Sequence, residues 1–165
     1  MANTQPELDT PTDLPSNAVN SVADALNGIL ADSFALYLKT KNFHWHVSGP
    51  HFRDYHLMLD EQATEILGTT DDIAERIRKT GNTTLRSIGD IARRQRIRDN
   101  DAPFVSATDM LNELRDDNLA LVAALREAKD IVDDAKDNAT SGILDEWTDL
   151  AEKRAWFLFE SSQNG

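Results

Sequence analysis

The chain has 165 residues, 40% of them hydrophobic and 28% charged, with seven Gly and five Pro, which is the length and composition of one globular domain with no room for a second. Seventeen Lys and Arg against 29 Asp and Glu give a net charge of −12 and a sequence pI of about 4.6, a balance that repels phosphate backbones and anionic lipid and attracts cations. Cysteine is absent, so disulfides, thiolate nucleophiles and Cys-ligated zinc or iron–sulfur centres are excluded, and any metal chemistry falls to His, Asp and Glu.

Residues 1–15 hold three of the five prolines among Thr, Asp and Asn, and no Lys or Arg occurs before Lys39. This composition predicts a flexible acidic tail, with the folded domain spanning residues 16–162. There is no basic segment followed by an apolar one at the N-terminus, and no run approaches the ~18 consecutive apolar residues of a bilayer span. The expectation is a cytoplasmic protein with no membrane partner.

From Ser16, the residues Val19, Val22, Leu26, Ile29, Leu30 and Tyr37 recur at helical intervals, predicting a first helix that ends where Ser48-Gly49-Pro50 breaks the pattern. A second helix is expected to open at Pro50, to bury Phe52, Leu59, Ala63, Ile66, Leu67, Ile73 and Ile77, and to stop at Gly81. Residues 82–105 are long and polar, with one short helical candidate at Ile88–Gln95 and a stop at Pro103, and so read as a crossover rather than a turn. Ser106 with Asp109 resembles a capping box, and Met110, Leu114, Leu121, Val122, Leu125, Ile131 and Val132 carry a third long helix. After residues 138–141, Ile143, Trp147, Leu150, Phe157 and Leu158 mark the fourth. No segment alternates at strand period for long. The fold class is therefore all-α: a four-helix bundle whose long connection, containing a short helix, lets the second and third long helices run parallel, as ferritin-like bundles require.

The chemistry lies on the second helix. At about 100° per residue, Asp60 lies about 40° from His56, Asp71 about 60° and Glu75 about 100°, so all four share one strip beside the apolar stripe. A charged strip beside a core is ordinarily just solvated, and a lone histidine at such a boundary is ordinarily structural. The combination differs: His then Asp at i+4, and Asp then Glu at i+4, are two ligand pairs of the kinds that hold a hard-to-borderline divalent ion. Asp60 and Asp71 are separated by roughly 16 Å along a helix, at ~1.5 Å per residue. One ion cannot touch both within one chain. Two copies packed antiparallel about a two-fold axis near Ile66 would bring His56 and Asp60 of one to Asp71 and Glu75 of the other, twice by symmetry. His44, at the end of the first helix, is placed to reach the His56 end from the same subunit.

The segments N-F-H-W-H-V-S-G-P-H-F at 42–52, Y-H-L-M-L-D-E at 55–61 and T-D-D-I-A-E-R at 70–76 resemble the signature of the Dps family, the ferritin-like DNA-binding proteins from starved cells. E-K-R-A-W-F-L-F-E at 152–160 resembles the family's last helix, so the likeness covers residues 17–160. It implies a shell of twelve identical subunits that is also a ferroxidase. Iron, the cofactor and cargo, is oxidised from Fe(II) with hydrogen peroxide or dioxygen as the partner oxidant, and is stored as a ferric mineral that protects against oxidative stress. Carried onto this chain, the metal ligands are His44, His56 and Asp60 from one subunit and Asp71 and Glu75 from its mate. Trp45 is a candidate to supply an electron or absorb a stray oxidising equivalent, against a plainer reading as a core aromatic. His46 and His51 read as turn or surface residues.

Family members that bind DNA well commonly carry Lys- or Arg-rich tails, and here the tail has neither. The run Arg93, Arg94, Arg96 and Arg98 offers a local basic patch or, alternatively, pairs with Asp90, Asp99 and Asp101, so DNA binding is not expected. The principal alternative function is nevertheless a nucleoid-compacting structural protein. A His/carboxylate metallohydrolase fits less well, for want of a nearby nucleophile or an H-E-x-x-H motif. Asp137, Asp145 and Asp149 are candidates for an acidic pore, or for a favourable interaction with a helix N-terminus.

Overall fold

The computed structural model describes residues 5–164, and the first four residues of the tail expected at residues 1–15 lie outside them. After a single 3-10 turn at Pro6–Leu8, five helices follow: α1 (Ser16–His46), α2 (Phe52–Lys79), the short α3 (Ile88–Arg94), α4 (Ala107–Asp134) and α5 (Asn138–Ser162). The four long helices close a ferritin-like bundle around Leu26, Leu30, Leu36, Phe43, Leu59, Ile66, Ile73, Leu111, Leu114, Leu125, Leu144 and Leu158. Among the described residues no helix is long and apolar enough to cross a membrane.

Polar contacts fix the directions. The Tyr55 hydroxyl donates to the Ser161 carbonyl at 2.9 Å, Arg154 donates to Glu65 at 2.8 Å and Arg76 donates to Asp137 at 3.0 Å, so α2 and α5 run antiparallel. Arg154 also reaches Asn118 of α4 at 2.8 Å, while Lys129 near the end of α4 reaches Ser141 near the start of α5 at 2.6 Å. With α4 and α5 antiparallel too, α2 and α4 are parallel, and residues 82–105 must carry the chain back along the whole bundle.

That crossover is laced to α1 by a ladder of α1 side chains in order. Asn27 donates to the Thr83 carbonyl at 3.3 Å and accepts from Thr84 at 2.9 Å. Asp32 accepts from the Arg96 backbone N–H at 2.5 Å and from its guanidinium at 2.8 Å. Lys39 donates to the Arg98 carbonyl at 2.8 Å, and Asn42 to the Asn100 carbonyl at 3.1 Å. Asn27, Asp32 and Lys39 are buried on a helix otherwise packed with apolar side chains, because an irregular segment laid on a core must find partners for its backbone groups. Ser87 caps α3 by accepting from the Asp90 N–H. Ser106 does the same for α4 from Asp109, as its capping-box residues predict.

Several elements depart from the sequence reading. Pro50 sits in the turn, where Phe52 N–H donates to the Gly49 carbonyl, and α2 begins two residues later. Gly81 has φ +87, the left-handed geometry of a helix stop, and a Cβ there would meet the Thr10 carbonyl at 2.8 Å. The segment preceding α1 lies against this end of α2, where Arg78 donates to the Leu8 carbonyl at 2.9 Å and to the Thr10 hydroxyl at 3.5 Å. Leu67 and Phe52, expected in the core of α2, are exposed, as are Ile131 and Phe157, since each sits at the margin of its helix's apolar stripe.

Lys39 is the most demanding of the ladder residues. Its side chain is 4% exposed and lies 2.7 Å from both Glu113 and Asp117 of α4. Burial raises the Asp117 carboxyl above the ordinary range against the opposing pull of Lys39. Removing the cation from this cluster strands two carboxylates and frees the crossover, so Lys39→Ala is expected to cost about 3–5 kcal/mol in urea unfolding; a loss under about 1 kcal/mol would mean that the cluster does not hold the fold.

Candidate metal centre

The end of α1 and the start of α2 are joined by a reciprocal pair of bonds. His44 Nδ1 lies 2.6 Å from the His56 carbonyl, and His56 Nδ1 lies 2.8 Å from the His44 carbonyl. A carbonyl only accepts, so each Nδ1 carries the proton and each Nε2 is left with its lone pair, the state a metal ligand needs. The two rings stack at 3.8 Å and 19°, and Phe52 stacks on the other face of His56 at 5.0 Å. His44 is buried and His56 half-buried. Neither ring is free to rotate without breaking a bond to the opposite helix.

Asp60, one turn after His56, is the nearest carboxylate that the sequence singled out. Its Oδ1 lies 3.9 Å from His44 Nε2 and accepts a 2.6 Å hydrogen bond from Lys41. That bond, opposed by desolvation and reinforced by the charge of Lys41, holds the Asp60 carboxyl below the usual carboxylate range. The carboxylate is ionised and 48% exposed, a ligand that a metal can reach from outside.

The structure places His56 against His44 and Asp60 near His44 Nε2, and leaves Asp71 and Glu75 elsewhere. Both of the latter are exposed, further along the same outer face of α2, and Glu75 pairs loosely with Lys79 at 3.6 Å. Among the described residues no three His, Cys, Asp or Glu converge as a metal-holding group within the chain. The outer face of α2 reads Leu57, Asp60, Thr64, Leu67, Asp71 and Glu75, while Ile66 points into the core. An axis near residue 66 is therefore faced by Thr64 and Leu67, not by Ile66 itself.

Trp45 is 57% exposed, which removes its reading as a core aromatic, and Lys41 lies over its ring at 5.9 Å. His46 bonds back to Asn42 on its own helix and His51 packs against Tyr55, so both serve the turn. Lys41 was not singled out by sequence, and Phe52 only as a core residue of the second helix. The signal for Lys41 was its spacing of three and four from His44 and Trp45, which puts all three on neighbouring positions of α1.

Asp137 is not a pore residue. It is buried, caps α5 by accepting from the Thr140 N–H at 3.1 Å and pairs with Arg76, while Asp145 pairs with Lys129 at 2.9 Å. Of the crossover arginines, Arg93 pairs with Asp90 and Arg96 with Asp32, whereas Asp99 accepts from Gln95.

Comparison with known proteins agrees with the fold. The ferritin-like domain family matches residues 23–163. A DNA protection during starvation protein of Brevibacillus brevis is 34% identical over 137 residues, covering 83% of this chain and 91% of that protein. This chain belongs to the Dps family of ferritin-like proteins. The Dps relative from Agrobacterium fabrum is 33% identical over 149 residues, covering 90% and 92% of the two chains. The crystal structure of a Dps protein from Bacillus brevis superposes with a TM-score of 0.86 at 31% identity, covering 91% of this chain and 100% of that one. Dps membership accounts for the four-helix bundle and its long crossover.

The reciprocal histidine bonds set a definite tautomer. At a pH where both imidazoles are neutral, 15N NMR of His44 and His56 is expected to show protonated Nδ1 and bare Nε2 on each; an Nε2–H tautomer on either ring would contradict the geometry.

Proposed function

We propose that the protein is a Dps-type ferroxidase and iron store, working in the cytoplasm as a dodecameric shell whose metal sites are shared across subunit two-folds. The observation that carries this reading is the layout of α2. Antiparallel pairing of two copies sets His56 opposite Glu75, Asp60 opposite Asp71 and Thr64 opposite Leu67, all centred between residues 65 and 66. One symmetry operation thus completes both half-sites at once. Exposed Leu57 and Leu67 on the same strip supply the apolar contact such a pairing needs.

In the shared site His44, His56 and Asp60 of one subunit and Asp71 and Glu75 of its mate take Fe(II) as substrate. Imidazole and carboxylate suit Fe(II) without the sulfur that peroxide would attack. Hydrogen peroxide takes one electron from each of two Fe(II), its O–O bond breaks, and both oxygens end at the oxidation level of water. No hydroxyl radical is released, and the ferric product hydrolyses to mineral with loss of protons. Trp45, beside the site and exposed, is placed to give up an electron when only one Fe(II) is present. Protection of DNA, which the relatives' names invoke, is on this reading chemical. Compaction of DNA is disfavoured by a chain with no cation before Lys39 and by the pairing of Arg93 and Arg96.

Complementation tests the shared site. Asp60→Ala and Glu75→Ala alter exposed side chains without core packing, so each is expected to leave stability within about 0.5 kcal/mol and to abolish rapid Fe(II) oxidation. When the two variants are co-assembled at random, one site of each mixed dimer loses both carboxylates and the other loses none, restoring about one quarter of the wild-type rate. Subunit exchange without recovery of oxidation would overturn the arrangement.

A further inference from the structure

Lys41 is not part of the ligand set, yet it holds the ligand oxygen. Its Nζ lies 2.6 Å from Asp60 Oδ1, the oxygen that also faces His44 Nε2. Its side chain is only 20% exposed, laid across the helix pair rather than extended into solvent. The other lysine beside a ligand, Lys79, sits 3.6 Å from Glu75 with both side chains more than half exposed, the loose geometry of an ordinary surface pair. We propose that Lys41 is a tethered stand-in for the metal, a cation that an incoming ion must displace from Asp60 and that thereby sets how weakly the site holds its ion. The inference rests on the shared-site reading above.

The chemistry is an exchange of cations. An ammonium and a divalent ion cannot both keep contact with one carboxylate oxygen, because their own repulsion at that separation is large in a partly desolvated site. Without metal, Lys41 neutralises the Asp60 carboxylate. With metal, its charge must go elsewhere, and the face of Trp45 already lies 5.9 Å from Nζ. A short swing brings the ammonium onto that ring, where a cation–π contact receives it. An ion is thus bound against a standing competitor, which suits a site that must release its oxidised product into a store rather than retain it.

Zn(II) is a suitable probe, since it is redox-inert and takes His and carboxylate ligands. Its binding to the assembled oligomer is measured by titration calorimetry for the wild type, Lys41→Met, Lys41→Gln, Lys41→Arg and Asp60→Ala, each checked for assembly by light scattering. Lys41→Met and Lys41→Gln are expected to bind Zn(II) about tenfold more tightly than the wild type, whereas Lys41→Arg, which keeps the competing charge, stays near the wild type. The part of the fluorescence that disappears in Trp45→Phe is expected to change on Zn(II) binding in the wild type, and less in Lys41→Met. Unchanged or weaker affinity in both neutral variants, with Asp60→Ala still abolishing binding, would overturn the stand-in role and leave the shared site standing. Undiminished Zn(II) binding in Asp60→Ala would instead overturn the site on which the proposal rests.

Discussion

A continuous helix cannot fold back on itself, and that constraint organises the molecule. Asp60 and Asp71 stand on one unbroken α2, roughly 16 Å apart at ~1.5 Å per residue. On the proposed reading each pair is therefore half of a site, and the chain's architecture presents the two halves on one outer face. The buried side of α2 is fixed against α5 through Glu65, whose carboxylate is held by Arg154 and Lys153, and through Arg76, locked onto Asp137 and Thr140. These contacts fix the rotation of α2 about its axis. Once that rotation is set, Asp60, Thr64, Leu67, Asp71 and Glu75 face outward together.

The histidine pair performs the corresponding task at the end of the α1–α2 hairpin. Two side-chain-to-backbone bonds across two helices, each oriented by the other, fix both rings and both tautomers. A site that is ordered in this way does not have to spend binding free energy on arranging its ligands. Its affinity is free to be set by other means, among them the positive charge that Lys41 places on Asp60.

The helices, the cap of α4 and the crossover were legible in the sequence because apolar period and capping residues act locally, as Ser106 with Asp109 does. What the sequence left open was which marginal apolar residues the chain itself covers. Leu67 satisfies the helical period of a core residue yet faces out, because period alone does not distinguish a surface buried by the same chain from one awaiting a second copy. Asp137 looked like one of several acids near a helix start, and only the approach of Arg76 from a helix distant in sequence makes it a buried cap. The proposed ligand set is suggested by two pairs of His and carboxylate residues repeating on one helix, whereas Lys41 lies on the other helix and meets Asp60 only once α1 packs on α2. The polar residues buried on α1 were unexplained by periodicity, and the crossover lying along them supplies the reason.

The claim that each metal is held between two subunits is tested most directly by a crystal structure of the assembled protein soaked in Zn(II), with the ions located by anomalous scattering. The account requires two equivalent ions per dimer, each bound by His44, His56 or Asp60 of one subunit and by Asp71 or Glu75 of the other, with Lys41 moved off Asp60. Ions held wholly within one chain, or bound away from α2 while these residues keep the contacts described above, would contradict it.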